Sequence, residues 1–240
     1  MKGIILAAGR GSRMGAGTDT LPKCRSILHG KSLLQWQLEG LGEAGIDDLG
    51  IVRGYLANTF NEALSYFDNP RWSETNMVMS LVCADRWLKA DSCIISYSDI
   101  VYSARSVRTL MEAPGDITIA YDPDWIRLWG MRFEDPLSDA ETFRLEGSKV
   151  IEIGNRANHV DEIEGQYMGL LKFSPHGWSL LHEFLTSHDP GQQDKMDMTS
   201  LLRGAIKEGI ALNAVAIKDR WYEVDSESDL QTYQALDSLF

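Results

Sequence analysis

Positive charge is scarce: 23 Lys and Arg stand against 35 Asp and Glu, a formal net charge of −12. Such a surface repels polyanions, which excludes nucleic acid and anionic membranes as the main partners. It leaves room for a small nucleotide, because a local patch or a metal ion can reverse the field. Cysteine is sparse too. Cys24, Cys83 and Cys93 make neither a CxxC pair nor an even set, so no disulfide framework is expected and a reducing cytoplasm is the default. No apolar run is long enough to span a bilayer, and the opening MKGIILAAGR lacks the form of a secretory signal. The histidines His29, His159, His176, His182 and His188 form no HExxH or HxxxH pair, and there is no GxSxG, which argues against a zinc site or a serine-hydrolase elbow. What is present is 240 residues with 44% hydrophobic content, enough for one sizeable core and a single domain over 1–240.

Apolar runs bounded by turn residues alternate with stretches of helical period, the pattern of an α/β fold. Residues 2–8 are apolar on both faces, as a buried parallel strand is. Ser32 opens a helix with Leu33, Leu34, Leu38 and Leu41 on its apolar side, and Gly45 closes it. Strands are predicted at 49–52, 92–97, 117–121, 167–173 and 211–217, with helices at 56–67, 76–84, 103–113 and 199–207. Ser174-Pro175 reads as a helix start, and Ser226 with Asp229 has capping-box spacing. Residues 142–145 and 150–153 flank a hairpin turn. Between 122 and 139 the pattern breaks down into an aromatic and acidic segment.

The informative segment is Ile4-Ile-Leu-Ala-Ala-Gly-Arg-Gly-Ser-Arg-Met14, followed by Leu21-Pro-Lys-Cys24. Gly9 and Gly11 after a buried strand let the backbone turn sharply and approach a ligand, while Arg13 and Lys23 supply charge for phosphate oxygens. A plain strand-to-loop turn with two solvated cations is the competing reading of the glycines alone. A dinucleotide fingerprint needs a third glycine where Met14 stands, and Gly30-Lys-Ser32 is preceded by Arg25 where a P-loop needs glycine.

This segment resembles the signature of nucleotidyltransferases that activate phosphorylated acceptors with nucleoside triphosphates, most closely the bacterial phosphocholine and phosphonate cytidylyltransferases. The resemblance covers residues 1–55 and recurs at Thr75-Asn-Met-Val-Met-Ser-Leu81, Tyr97-Ser-Asp-Ile100 and Tyr222-Glu-Val-Asp-Ser226. It implies a Rossmann-like three-layer α/β/α fold with a mixed, mostly parallel sheet and an inserted hairpin region. It also implies in-line attack of an acceptor oxygen on the α-phosphorus, with pyrophosphate leaving. By family position Arg13 holds the β,γ-phosphates and Lys23 bridges α-phosphate and acceptor. Leu6, Ala7, Ala8, Gly9, Gly11, Ser12, Asn76, Ser80 and Ser98 join Arg13 around the nucleotide.

Asp99, after a buried strand, and Asp225, between a strand-like stretch at 221–224 and the last helix, are the expected Mg²⁺ ligands, since magnesium needs only one or two carboxylates beside phosphate oxygens and water. Otherwise they are a turn aspartate and a helix N-terminal residue. The Asp-x-Asp that the resemblance to sugar nucleotidyltransferases would place at the metal strand is here Ser96-Tyr-Ser-Asp99, one acid short. Asn76 and Ser80 suit a pyrimidine edge, or else an N-cap and a core-lining serine. The acceptor is expected at about 122–170. There Trp125 and Trp129 share a helical face if that piece is helical, and aromatic rings near acids such as Asp135 can hold an ammonium. Arg132 is expected to receive the acceptor's phosphoryl group. Otherwise this tryptophan-rich loop packs on the core or forms a homodimer contact.

The expectation is a Mg²⁺-dependent, cytoplasmic cytidylyltransferase using CTP and a small phosphate or phosphonate acceptor such as phosphocholine or 2-aminoethylphosphonate. A sugar-1-phosphate nucleotidyltransferase and a non-catalytic nucleotide-binding scaffold are the alternatives.

Overall fold

The computed structural model describes residues 1–240 other than residues 16 and 17. The chain runs β1 (Lys2–Ala7), β2 (Ile27–Leu28), β3 (Lys31–Ser32), α1 (Leu33–Glu43), β4 (Asp48–Arg53), β5 (Ser65–Asp68), α2 (Met77–Val82), α3 (Asp85–Ala90), β6 (Cys93–Tyr97), β7 (Ile100–Tyr102) and α4 (Ala104–Glu112). It continues through β8 (Ile117–Asp122), α5 (Trp125–Arg132), β9 (Glu141–Glu146), β10 (Lys149–Arg156), β11 (Gln166–Phe173), α6 (Pro175–Thr186), α7 (Pro190–Lys195), α8 (Met198–Lys207), β12 (Asn213–Ala216), β13 (Trp221–Glu223) and α9 (Glu227–Gln234).

Nine strands form one mixed sheet in the order β5-β4-β1-β6-β11-β8-β12-β10-β9. The β1 pairings with β4 and β6 are parallel, as are β4 with β5 and β8 with β12, whereas β11 runs antiparallel between β6 and β8. Alternation along β1 divides the core. Ile5 and Ala7 pack with Leu33 and Leu41 of α1, Val107 of α4 and Tyr233 of α9. Ile4, Leu6 and Ala8 pack on the other face with Val78 of α2, Leu88 of α3, Trp178 of α6 and Leu201 of α8. Helices therefore cover both faces, the Rossmann-like arrangement that continuously apolar strands require.

Local signals account for most element ends. Ser32, Ser103, Ser174 and Ser226 each cap a helix through their hydroxyls, and Ser32 and Ser226 complete capping boxes. The helix expected at 56–67 is instead a single turn, Ala57–Thr59, followed by the edge strand β5. Leu56 has φ of +47°, which stops a right-handed helix there, and Ser65 and Phe67 pair with Gly50 and Val52. Conversely, the segment without clear period at 122–139 contains α5. Trp125 and Trp129 are only 3% and 4% exposed, so they belong to the core and offer no exposed tryptophan face for a dimer. Among the described residues no helix is long and apolar enough to cross a membrane.

One irregularity positions the site. The β11–β8 register shifts between Tyr167 and Leu171, where Gly169 adopts φ of +74° with an added Cβ 2.7 Å from the Tyr97 ring. Gly169→Ala is expected to combine backbone strain with overpacking and to cost about 3 kcal/mol. Its thermal midpoint against wild type checks this.

Candidate active site

The loop leaving β1 turns back across the stem of Lys23. Gly11 has φ of +70°, and a Cβ there would stand 2.6 Å from the Lys23 Cβ. Only glycine permits that approach without strain. The buried Lys23 ammonium donates to Asp99 Oδ2 at 2.8 Å and to Asp225 Oδ1 at 2.6 Å.

Those two aspartates meet because β7 and β13 pair as a two-stranded ribbon at the carboxyl edge of the main sheet, with Ile100 opposite Glu223. The Val224 amide donates to the Asp99 carbonyl at 2.9 Å. Gln37 of α1 braces the same corner, donating to the carbonyls of Tyr97 at 3.0 Å and Ile100 at 2.7 Å. Asp225 also receives Arg13 Nη2 on Oδ1 at 3.0 Å and Arg132 Nη2 on Oδ2 at 3.0 Å. The second oxygen of Asp99, Oδ1, is buried and has no hydrogen-bond partner among the described residues.

Two clefts open on either side of Tyr97. One, of about 200 Å³, is lined by Leu6, Ala8, Gly9, Gly11, Lys23, Ser98 and Asp99 at its floor and by Trp72, Asn76 and Ser80 on its wall. The other, of about 270 Å³, carries the carboxylates Asp139, Glu141, Asp197 and Glu223 beside Trp129 and Tyr167, with Arg13 and Asp225 at its mouth. Lys23 and Asp225 stand where the two meet. A glycine loop, a buried ammonium shared by two carboxylates and a polar side cleft are the parts that transfer of a charged phosphoryl group between two bound molecules requires.

Residues 3–140 match the model of the MobA-like NTP transferase domain. The chain belongs to this family. It is 38% identical to the CTP:phosphoglutamine cytidylyltransferase of Campylobacter jejuni over 96% of this chain and 98% of that protein. It is 33% identical to the choline-phosphate cytidylyltransferase of Streptococcus pneumoniae, over 42% of this chain and 46% of that protein. The solved inositol-1-phosphate CTP transferase from T. maritima shares the fold, with a TM-score of 0.74 at 16% identity over 97% of this chain and 94% of that one. The protein is a nucleotidyltransferase.

Within this nucleotidyltransferase the residues singled out in the sequence fall into three groups. Leu6, Ala8, Gly9, Gly11, Lys23, Asn76, Ser80, Ser98 and Asp99 line one cleft, and Arg13, Trp129 and Asp225 line the other. Ala7 does not join them, since it faces the opposite core, and Ser12 is exposed outside both linings. Trp125 is buried away from the clefts, and Asp135 is exposed and caps the turn Pro136–Ser138.

Arg132 departs furthest from expectation. Its side chain is 1% exposed and lies beneath the site, bonded to Glu223, Asp225 and Asp229. The polar atoms of Asn76 and Ser80 are also engaged. Asn76 accepts from the Met77 amide, and Ser80 accepts from Asn69 at 3.0 Å.

Sequence reasoning did not single out Trp72 or the four cleft carboxylates. Glu223 was within reach, because it lies two residues before Asp225 on strand-like sequence and so shares its face. Asp139, Glu141 and Asp197 come from three separate elements, which no local spacing connects.

The charges are strongly coupled. Burial disfavours a charged Lys23, yet Asp99 and Asp225 outweigh it and raise the lysine pKa. Burial likewise opposes the Asp225 carboxylate, but Lys23, then Arg13 and Arg132, hold it below the usual range. A depressed carboxylate pKa gives stability that is present above the unfolded value of about 3.9 and lost as pH falls through the folded value. Lys23→Met should therefore be less stable than wild type at pH 7, by about 3 kcal/mol for a broken buried pair. That gap should close on acidification below about pH 4. Thermal midpoints from pH 7 to 3 check this, and a gap independent of pH would mean that Lys23 contributes packing alone.

Proposed function

We propose that this nucleotidyltransferase moves CMP from CTP to the phosphoryl group of a small acceptor that also carries a charged amine, with phosphoglutamine the leading candidate. The observation that carries the reading is the seam at Lys23. A cleft floored by the phosphate loop meets there a cleft walled by four carboxylates and an indole. The carboxylates match an acceptor ammonium, and a neutral sugar gains nothing from so many of them. The Trp129 Nε1 hydrogen is buried and has no partner among the described residues. A bound carbonyl or carboxylate oxygen would satisfy this donor, which a trimethylammonium group cannot do. That favours an amino-acid-like acceptor over phosphocholine, in keeping with the substrate in the name of the relative from Campylobacter jejuni.

In the reaction an oxygen of the acceptor's phosphoryl group attacks the α-phosphorus. A new P–O bond forms, the bond from that phosphorus to the bridging oxygen breaks, and pyrophosphate leaves with the electron pair. Both partners are anionic, so the work of the protein is alignment and charge neutralisation. Lys23 stands at the seam, where it can face the α-phosphate, and the exposed Arg13 can turn toward the β,γ-phosphates. Asp99 and Asp225 are the residues that would hold Mg²⁺, and the unpartnered Asp99 Oδ1 fits a hard cation. When bound, the ion neutralises phosphate oxygens. Trp72, packed edge-on against Tyr55 at 5.2 Å, gives the base a flat wall.

Two measurements test this. Pyrophosphate release is followed with Mg²⁺ while CTP, UTP, dTTP, GTP and ATP are crossed against phosphoglutamine, phosphocholine, 2-aminoethylphosphonate and glucose 1-phosphate. Turnover confined to CTP and an amine-bearing acceptor is expected, and preferred turnover of glucose 1-phosphate would overturn the acceptor reading. Trp72→Ala should raise the KM for CTP about tenfold or more, with kcat little changed, since stacking on an aromatic is worth about 1–3 kcal/mol per base. An unchanged KM would remove Trp72 from the base site.

A further inference from the structure

Arg132 ends α5 and sends its guanidinium under the floor between the two clefts. Each of its three nitrogens meets a different carboxylate. Nη1 donates to Glu223, Nη2 to Asp225 Oδ2 at 3.0 Å, and Nε to Asp229 Oδ1 at 3.3 Å. The guanidinium also lies over the rings of Trp129 and Phe133, at 5.5 Å and 5.0 Å. Asp229 extends the hold to the backbone, because its Oδ2 accepts from the amides of Asp225 and Ser226, both at 2.9 Å. Asp225 is thus fixed twice, by its own amide through Asp229 and by its Oδ2 through Arg132.

The consequence is directional. A carboxylate free to rotate can offer either oxygen to Lys23. With Oδ2 held from below, Oδ1 is the oxygen turned to Lys23 and Arg13. The same cation holds Glu223 and packs on Trp129, both in the wall of the carboxylate-lined cleft. One planar fork therefore sets the geometry of the active carboxylate and of two cleft residues, which a single ammonium cannot do.

We infer that Arg132 is a positioning residue, which fixes the Asp225 oxygen facing Lys23 and aligns the neighbouring cleft with it, and that it does not bind the acceptor's phosphoryl group. The inference rests on the nucleotidyl-transfer reading of the Lys23 site.

The test is Arg132→Lys, with Asp229→Asn as a milder second variant that keeps an oxygen for the two amides and weakens one arm of the fork. Steady-state kinetics use the nucleotide and acceptor pair that the wild-type protein turns over. Arg132→Lys should lower kcat about 10- to 100-fold while leaving the acceptor KM within a few-fold, as loss of a supporting contact does. Asp229→Asn should lower kcat by less, with the same signature. A rise in acceptor KM at undiminished kcat would make Arg132 an acceptor ligand and overturn the inference. Wild-type kinetics with only a lowered thermal midpoint would reduce it to a structural pair and overturn it equally.

Crystal structures of the two variants supply a readout that needs no substrate. The Asp225 carboxylate should turn or shift relative to Lys23. An unmoved Asp225 in both would sink the inference, whereas absence of wild-type turnover on every tested pair would count against the proposed reaction alone.

Discussion

The Asp225 carboxylate is the group around which the rest of the site is arranged. It is buried, and a buried carboxylate is stable only when paired and hydrogen-bonded. Here the pairing comes from three cations on three parts of the chain. Lys23 and Arg13 meet one oxygen, and Arg132 meets the other. Satisfying that single group therefore requires the loop after β1, the turn that carries Lys23, the end of α5 and the end of β13 to converge. The ribbon of β7 and β13 brings Asp99 to the same point.

This arrangement reconciles an acidic protein with anionic ligands. A net charge of −12 opposes binding of a triphosphate and a second phosphorylated molecule together. In the site the cations Lys23, Arg13 and Arg132 are each already paired with carboxylates, so phosphate oxygens bind by sharing or exchanging those partners. Lys23 and Arg132 are buried and hold fixed places, whereas the Arg13 side chain is 70% exposed and touches Asp225 from outside. The two kinds of cation suit different tasks. A fixed charge preorganises the floor, and a solvated one can exchange its carboxylate partner for phosphate at little cost in desolvation.

The sequence was most informative where a feature is local. Alternation and caps mark most of the strands and helices, because a serine cap or a buried apolar run acts over a few residues. The glycine loop and Lys23 are legible for the same reason. The helix expected at 56–67 failed because Leu56 in a left-handed conformation and parallel pairing with β4 override its apolar spacing. In the site, Trp125 and Arg132 follow the alternative reading of their segment, a tryptophan-rich piece packed on the core. Folded as α5, the segment turns Trp125 into the core and Arg132 toward Glu223 of β13, Asp225 just after it and Asp229 of α9, contacts that no spacing within 122–139 encodes. The carboxylate-lined cleft was invisible for a similar reason, since its acids come together only after β9, β11, α8 and β13 are assembled.

The missing acid before Asp99 has a structural counterpart. In the place of a second carboxylate stands Tyr97, whose ring divides the two clefts and packs edge-on against Tyr167 at 5.8 Å. The ring fits because Gly169, on the neighbouring antiparallel strand, has no Cβ and takes a positive φ at the register shift. A carboxylate at position 97 would lie between the acids of one cleft and the glycine loop of the other, and would add a like charge beside Asp99 and Glu223. The aromatic wall separates the two clefts away from Lys23, and it leaves Asp99 and Asp225 as the acids bonded to that lysine. Tyr97, Gly169 and the single Asp99 are therefore one coupled choice: restoring the second acid alone would leave a gap beside Gly169 and an unpaired charge beside Tyr167, without rebuilding a two-carboxylate strand.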